Sequence, residues 1–188
     1  MRADIERWNQ KYLDRAAAPT APDPLLLSYA HCLGDRGTAL DVACGFGHNA
    51  VYLARRGYDV YAVDGSEVAL RRCRAALRGE FLPVHLIVAD LDVFAPPANH
   101  FDLVLVVHYL HRPLFPRLRA AVKPGGLLLY KTFNTRRLQA DPRFPRGYLL
   151  EPGELARQFG DWDTIATNER PVPSTDTTFW IGRRPRRG

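Results

Sequence analysis

Apolar positions recur along the chain in two rhythms. From Ala3 to Ala17, the residues Ile5, Trp8, Tyr12 and Leu13 share one helical face. The run "PTAPDP", Pro19 to Pro24, interrupts that pattern and reads as a linker. A short helix fits Leu25–Leu33, closed by Gly34. Short apolar runs then alternate with helical patterns. Strands are predicted at Thr38–Ala43, Asp59–Val63, Val84–Ala89, Asp102–Val107 and Leu127–Phe133. Helices fit at His48–Arg56, Glu67–Arg78 and Pro113–Val122. Runs such as "LVLVV", Leu103 to Val107, suit strands buried on both faces of a parallel sheet.

After Phe133 the character changes. The stretch "NTRRLQADPRFPRGY", Asn134 to Tyr148, is polar and reads as an excursion. One more short helix is written in "EPGELARQF". Two runs, "WDTIATNE" and "TDTTFWIGR", then predict an antiparallel pair at a sheet edge. The sum is a doubly wound, Rossmann-like α/β fold. Its seven-stranded sheet is mostly parallel with an antiparallel last strand, and helices lie on both faces. A single domain is expected, with N-terminal helices or a lid over 1–34, a cofactor-binding core over 35–133 and a substrate-side excursion with closing strands over 134–188.

Composition narrows the class. At 188 residues the chain can bury a substantial core. No apolar stretch reaches membrane-spanning length, and the charged start "MRADIERWNQKYLDR" lacks a signal-peptide core. Three cysteines, Cys32, Cys44 and Cys73, form no CxxC pair, which fits reduced thiols in a cytoplasm. The net charge of +6 invites a nucleic-acid reading. Yet lysine occurs only at Lys11, Lys123 and Lys131, and part of the excess lies in the tail "GRRPRRG". The charge therefore reads as arginine bias and a solvated end.

Candidate chemistry starts in "ALDVACGFGHNAVYLARRGYDVYAVDGS", Ala39 to Ser66. Gly45 and Gly47 lie between a strand and its helix, where glycine lets a ligand approach the backbone. The helix N-terminus beyond offers unpaired N–H groups. Asp64 ends the next strand, placed to accept from both hydroxyls of a ribose. "GFGHNA" fits the GxGxxA dinucleotide pattern, so two cofactors compete. Four features favour S-adenosylmethionine. Asp41 precedes the turn, where a pyrophosphate would be repelled but a sulfonium or ammonium attracted. "ADLD", Ala89 to Asp92, is a second acidic turn suited to an adenine amino group. "VKPGG" turns into the fifth strand, and the closing antiparallel pair is unlike most dinucleotide folds. Each acid has a plainer use: Asp41 as a cap of loop N–H groups, Asp90 and Asp92 as caps of the next segment, Asp64 as a turn former.

These residues resemble the class I S-adenosylmethionine-dependent methyltransferases, over about Thr38 to Phe133. "LDVACGFG" is similar to that family's glycine motif, "VYAVDGS" to its ribose-binding acid, "VADLD" to its adenine motif and "VKPGGLLLY" to the turn into its fifth strand. Within it, "CGFGHNAVYLARRGYDVYAVD" and "EPGELARQFGDWDTIATNE" resemble the tellurite-resistance methyltransferases. "WNQKY" is similar to a Lys-Tyr segment that folds over the cofactor in such enzymes. The resemblance implies a donor site of Trp8, Tyr12, Asp41, Ala43, Gly45, Gly47, Asn49, Asp64, Gly65, Ser66, Asp90, Leu91 and His108. In it Asp64 takes the ribose hydroxyls, Asp90 the adenine amino group and the Leu91 N–H a ring nitrogen. His108 lies near the methionine end or the acceptor. The chain departs from the pattern at Ala43, where many methyltransferases have glycine. It also has Arg170 but no His after Asn168-Glu169.

The acceptor side is predicted from "HYLHR", His108 to Arg112, after strand four. His108 and His111 are the candidate catalytic residues; with no third ligand evident, no metal site is expected. A thiol or oxyanion acceptor needs no strong base, whereas a phenol or amine benefits from one. Exocyclic-amine methylation of nucleic acid usually comes with an Asn/Asp-Pro-Pro-aromatic motif here, and this chain reads "HYLH". The excursion at Asn134–Tyr148 has two readings, a solvated loop or a lid with anion-drawing arginines. The expected function is methyl transfer to a small-molecule acceptor such as a thiol, an oxyanion, tellurite or selenite, by a monomer or homodimer. A nicotinamide-cofactor oxidoreductase and a non-catalytic cofactor-binding domain stay open as alternatives.

Overall fold

The computed structural model describes residues 2–15, 21–169 and 175–186, in two units, Met1–Ala95 and Pro96–Gly188. In the first unit β1 (Gly37–Val42), β2 (Tyr58–Asp64) and β3 (Val84–Val88) pair in parallel, with β2 in the middle. The inner strands are apolar and buried, including Ala39, Leu40, Val42, Val60, Ala62 and Val63. β3 is the exception, with Val88 57% exposed as befits an edge. Helix α1 is Arg2–Asp14, α2 is Pro24–Ser28, α3 is His48–Arg55 and α4 is Glu67–Ala76.

Local chemistry sets these ends. Asp23 caps α2 by accepting from the Leu25 N–H at 2.9 Å, and Pro24 opens the helix with its φ already fixed. Ser66 caps α4 by accepting from the Ala69 N–H at 3.2 Å. The helix expected over Leu25–Leu33 divides into α2 and a 3-10 turn, Ala30–Cys32. Ser28 Oγ bonds back to the Pro24 carbonyl at 2.9 Å, and such back-bonding weakens a last turn. Leu13, expected on the inner face of α1, is 62% exposed.

In the second unit β4 (Phe101–Val107) pairs in parallel with β5 (Val122–Phe133). The closing pair is β6 (Asp163–Thr167) and β7 (Thr177–Arg183), which are antiparallel to each other. β7 also pairs antiparallel with β5, so the last strand inserts between β5 and β6. β5 begins at Val122 and takes in "VKPGG", the segment expected as a turn. Phe101 pairs with Val122 and Leu103 with Leu127, so the segment is an irregularity within the strand. The helix expected over Pro113–Val122 becomes a 3-10 turn, Arg112–Leu114, and α5, Phe115–Ala121. Pro113 and Pro116 each suit a first turn, so each opens its own. α6 (Arg137–Ala140) lies in the excursion and α7 (Glu154–Phe159) comes after it. Phe159 packs on Trp180, Trp162 and Phe115 at centroid distances of 5.2, 5.9 and 5.7 Å, an aromatic core for this unit.

The chain thus has the seven-stranded, mostly parallel α/β architecture with flanking helices that its pattern predicts.

Candidate functional site

The turn after β1 is held from β2. Gly45 N–H donates to Asp64 Oδ2 at 2.8 Å, and Ser66 N–H donates to Asp64 Oδ1 at 2.8 Å. Gly65 N–H donates to the same carboxylate. Asp64 is 6% exposed, and burial raises its pKa against those three donors. The glycines are required by geometry. Gly45 and Gly47 have φ of 54° and 74°. A methyl on Gly47 would stand 2.1 Å from Cys73 Sγ, and one on Gly45 3.0 Å from the Tyr12 hydroxyl. Ala43 also has a positive φ, 56°, so the departure from glycine is held in a strained conformation.

Asp41 is 1% exposed at the end of β1. It accepts the Ala50 N–H, while its Oδ2 is buried without a hydrogen-bond partner among the described residues. One oxygen therefore caps the first turn of α3 and the other is unused. Burial first, then the charge of Asp64, pushes the Asp41 pKa up to about 8. At neutral pH Asp41 is therefore mostly protonated.

Helix α1 lies on this turn. The Tyr12 ring packs edge-on against Phe46 at 5.0 Å, and Asn9 Oδ1 accepts from Ser66 Oγ at 2.5 Å. Ile5 packs against Gly65. Arg72 of α4 fastens the helix end, donating to the Tyr12 and Arg15 carbonyls at 2.6 Å and stacking over Phe46 at 4.9 Å. Burial and then Asp64 hold the Tyr12 hydroxyl protonated by raising its pKa. Trp8 stands further out, 40% exposed, under Lys11 at 4.5 Å.

The remaining residues predicted in this unit have visible structural uses. Asn49 is 3% exposed, and its Oδ1 accepts the Asp23 N–H at 2.8 Å, tethering the linker to α3. Asp90 Oδ1 accepts the Asp92 N–H at 3.0 Å, forming a turn that buries Leu91.

In the second unit His108 ends β4 with φ 56°, an uncommon conformation for a residue with a side chain. Its N–H donates to the Lys131 carbonyl at 2.8 Å, and its exposed imidazole stacks on Phe133 at 5.0 Å and 15°. His111 is half-buried and leads into the 3-10 turn. The segment between is pinned by the Tyr130 hydroxyl, which donates to the Tyr109 carbonyl at 2.9 Å. Arg112 binds Glu154 through Nε and Nη2 at 2.7 and 2.9 Å, and the Gly147 and Leu149 carbonyls at 3.0 and 2.9 Å. The excursion is therefore fastened at its far end. A small, partly open cavity of about 30 Å³ lies after β5 among Asn134, Arg136, Gly153, Glu169 and Thr178. Glu169 there accepts the Leu155 and Ala156 N–H groups at 3.1 and 2.8 Å. Arg170 lies outside the described residues.

Sequence reasoning missed Asn9, Phe46, Arg72, the Arg112–Glu154 pair and the cavity. Phe46 was within reach, as the residue between the two glycines. The pair spans 42 positions and leaves no local pattern.

A methyltransferase-domain family model matches residues 39–126. The crystal structure of TehB from Haemophilus influenzae shares the fold, with a TM-score of 0.72 at 19% identity, covering 96% of this chain and 67% of that one. An uncharacterized methyltransferase of Mycobacterium tuberculosis is 35% identical over 141 residues, covering 72% of this chain and 70% of that protein. The chain belongs to the class I S-adenosylmethionine-dependent methyltransferases. A ubiquinone biosynthesis O-methyltransferase of Alkalilimnicola ehrlichii is 32% identical over 137 residues, covering 68% of this methyltransferase and 52% of that protein. The chain spans about half the length of some curated relatives, 45% and 52% in two cases. Among the described residues no helix is long and apolar enough to cross a membrane.

The methyltransferase's cofactor is S-adenosylmethionine, and the residues of the first unit fit it. The bend at Gly45 and Gly47 keeps the backbone clear of Cβ atoms. Asp64 faces it with a carboxylate, and the unused Asp41 oxygen suits a cationic group better than a phosphate.

Proposed function

We propose that the protein methylates a small-molecule acceptor, with the donor held by the Gly45–Gly47 turn, Asp64 and Asp41 and covered by α1. The observation that carries this reading is the Asp64 carboxylate, fixed by Gly45, Gly65 and Ser66 beside a buried Asp41 oxygen that has no partner among the described residues. When bound, S-adenosylmethionine supplies a methyl group on a sulfonium, whose carbon–sulfur electron pair returns to sulfur as the acceptor's lone pair takes the methyl.

The chain's own residues orient and exclude water. Asp64 accepts from ribose hydroxyls, Asp41 faces the cationic end, and Asp90 with Leu91 receives the adenine. Tyr12 and Trp8, carried by α1, shield the turn, so the charges that cancel during transfer do so away from bulk water. Alignment of the acceptor does the rest, a contribution worth about 7–11 kcal/mol in favourable systems. His108 and His111 serve the acceptor side. A thiol or oxyanion arrives ionised, and a hydroxyl acceptor gives its proton to an imidazole or to water.

A small acceptor is favoured over nucleic acid by the "HYLH" segment after β4, where the base-methylating motif is missing. The name of the ubiquinone relative points the same way, toward an oxygen acceptor. The deciding experiment measures S-adenosylhomocysteine formed with a panel of thiols, phenols, selenite and tellurite, alongside a transfer RNA. Turnover with one of the small molecules supports the reading. Turnover with the RNA alone contradicts it. Donor binding without any turnover leaves the protein a cofactor-binding domain.

A further inference from the structure

The sheet of the first unit ends in an open edge. β3 is last in the strand order, and its pairing with β2 fixes which of its backbone groups point outward. The Val60 N–H donates to the Pro83 carbonyl at 2.8 Å, and the Ala89 N–H donates to the Asp64 carbonyl at 3.1 Å. The odd-numbered residues of β3 therefore face β2. The N–H and C=O groups of Leu86 and Val88 and the C=O of Val84 face the other way, and no described strand lies beyond them. The Val84 N–H turns back to the Leu82 carbonyl at 2.9 Å.

Native sheets blunt such an edge with charge, a bulge or a proline on the open side. β3 uses none of these. From Phe81 to Ala89 the only ionisable side chain is His85, and Asp59 holds it at 2.7 Å. The register with β2 runs without a shift. Pro83 presents its carbonyl to β2, so its missing N–H falls on the paired side and leaves the outer row intact. The edge is instead apolar, with Phe81, Val88 and Val93 exposed along it and at its ends.

This edge is complementary to itself. About a two-fold axis at Leu86, an antiparallel copy sets Leu86 opposite its own counterpart and Val84 opposite Val88 of the second copy. Leu86 then exchanges both hydrogen bonds with its counterpart, and the Val88 N–H meets the Val84 carbonyl. Val84, Leu86 and Val88 share one face of the strand, so the two sets of aliphatic side chains join in one stripe. Charge favours the same direction. The flank before β3 carries Arg74 and Arg78, beside the Arg55–Glu80 pair, which is closed on itself. The flank after it carries Asp90 and Asp92. Antiparallel pairing lays each basic flank beside the other copy's acidic one, whereas parallel pairing would oppose like charges.

We propose that the protein self-associates as a two-fold dimer through antiparallel pairing of β3 with β3 of a second copy. The sheet then continues from one chain into the next, through an isologous contact. The proposal is independent of the methyl-transfer reading. A strand of five residues makes a small junction, so the dimer is weak and depends on concentration.

The test is sedimentation velocity of the whole protein, from low micromolar concentration to near its solubility limit. Amide hydrogen exchange is read residue by residue at both ends of that range. The dimer fraction should rise with concentration. Exchange at the Leu86 and Val88 amides should slow with it, while exchange at Ile87, whose N–H faces β2, should not change. Val88→Lys places a lysine on the open edge and should weaken self-association about ten-fold or more, with circular dichroism showing the fold retained. Arg78→Glu should also weaken it, and adding Asp92→Arg should restore it. Should Val88→Lys fail to fold, that charge-swap pair decides. A protein that stays monomeric throughout overturns the proposal and leaves the edge to a foreign strand. A dimer that these variants leave unaltered, or slowed exchange at β6 in place of β3, overturns it as well.

Discussion

Gly45 and Asp64 stand nineteen positions apart and are joined by a 2.8 Å hydrogen bond from the glycine N–H to the aspartate Oδ2. That bond makes one object of the turn after β1 and the end of β2. The same carboxylate orders the Gly65–Ser66 turn, so the chain's own hydrogen bonds set the shape of both turns.

Asp41 makes stability fall with pH. Its pKa is pushed up to about 8, above the ordinary carboxylate value of 3.8. Between those limits the folded chain keeps a proton that the unfolded chain has released. Stability should therefore be highest below pH 4 as far as this group goes, and decline toward pH 8 by at most about 1.4 kcal/mol per pH unit. Asp41→Asn should flatten that part of the profile, read by urea denaturation at several pH values. A binding sulfonium should also expel the proton, so donor affinity should rise up to about pH 8.

Gly47 should tolerate no side chain. Its φ is 74° and an added methyl would stand 2.1 Å from Cys73 Sγ. Gly47→Ala should destabilise by about 1–3 kcal/mol through strain and overpacking. Cys73→Ala in the same chain should return part of that loss, because the backbone strain remains. A double-mutant cycle by thermal unfolding measures the recovered share.

Ala43 makes the opposite case. At φ 56° it holds a conformation that glycine adopts freely. Ala43→Gly should be neutral or stabilising by up to about 1 kcal/mol, whereas glycine for alanine usually costs stability. Chemical denaturation of the pair decides it.

Much of this was legible in the sequence because local rules wrote it. The strand runs, the two glycines and the acid closing β2 are all signalled within a few positions, and the structure joins them by hydrogen bonds. The adjustments came where backbone and side chain compete over a few residues. Pro113 and Pro116 divide one expected helix into a 3-10 turn and the short helix α5, and "VKPGG" folds into β5 as an irregularity. The packing of α1 on the turn was legible through Ile5 and Tyr12. Arg72 and Asn9, which fasten it, are charged and polar residues on amphipathic helices, with nothing local to distinguish them. The excursion had the same weakness: Arg112 and Glu154 meet only in the folded chain.

That ion pair supplies another prediction. Glu154 is 9% exposed at its side chain and Arg112 is 41% exposed, so the bridge is half screened. Arg112→Ala strands the Glu154 carboxylate and frees the Gly147 and Leu149 carbonyls, costing about 2 kcal/mol, below the scale of a fully buried pair. Arg112→Ala with Glu154→Gln should be milder than Arg112→Ala alone. Hydrogen exchange should show faster exchange at residues 146–154 in the single variant.

The central claim is that Asp64 and the Gly45 bend hold the donor. The most direct measurement is calorimetric titration of S-adenosylhomocysteine into the protein and its Asp64→Ala variant. Removing the carboxylate should weaken binding by about 1–3 kcal/mol, the scale of lost charged hydrogen bonds, while circular dichroism shows the fold retained. Unchanged affinity in a folded Asp64→Ala protein would contradict the assignment.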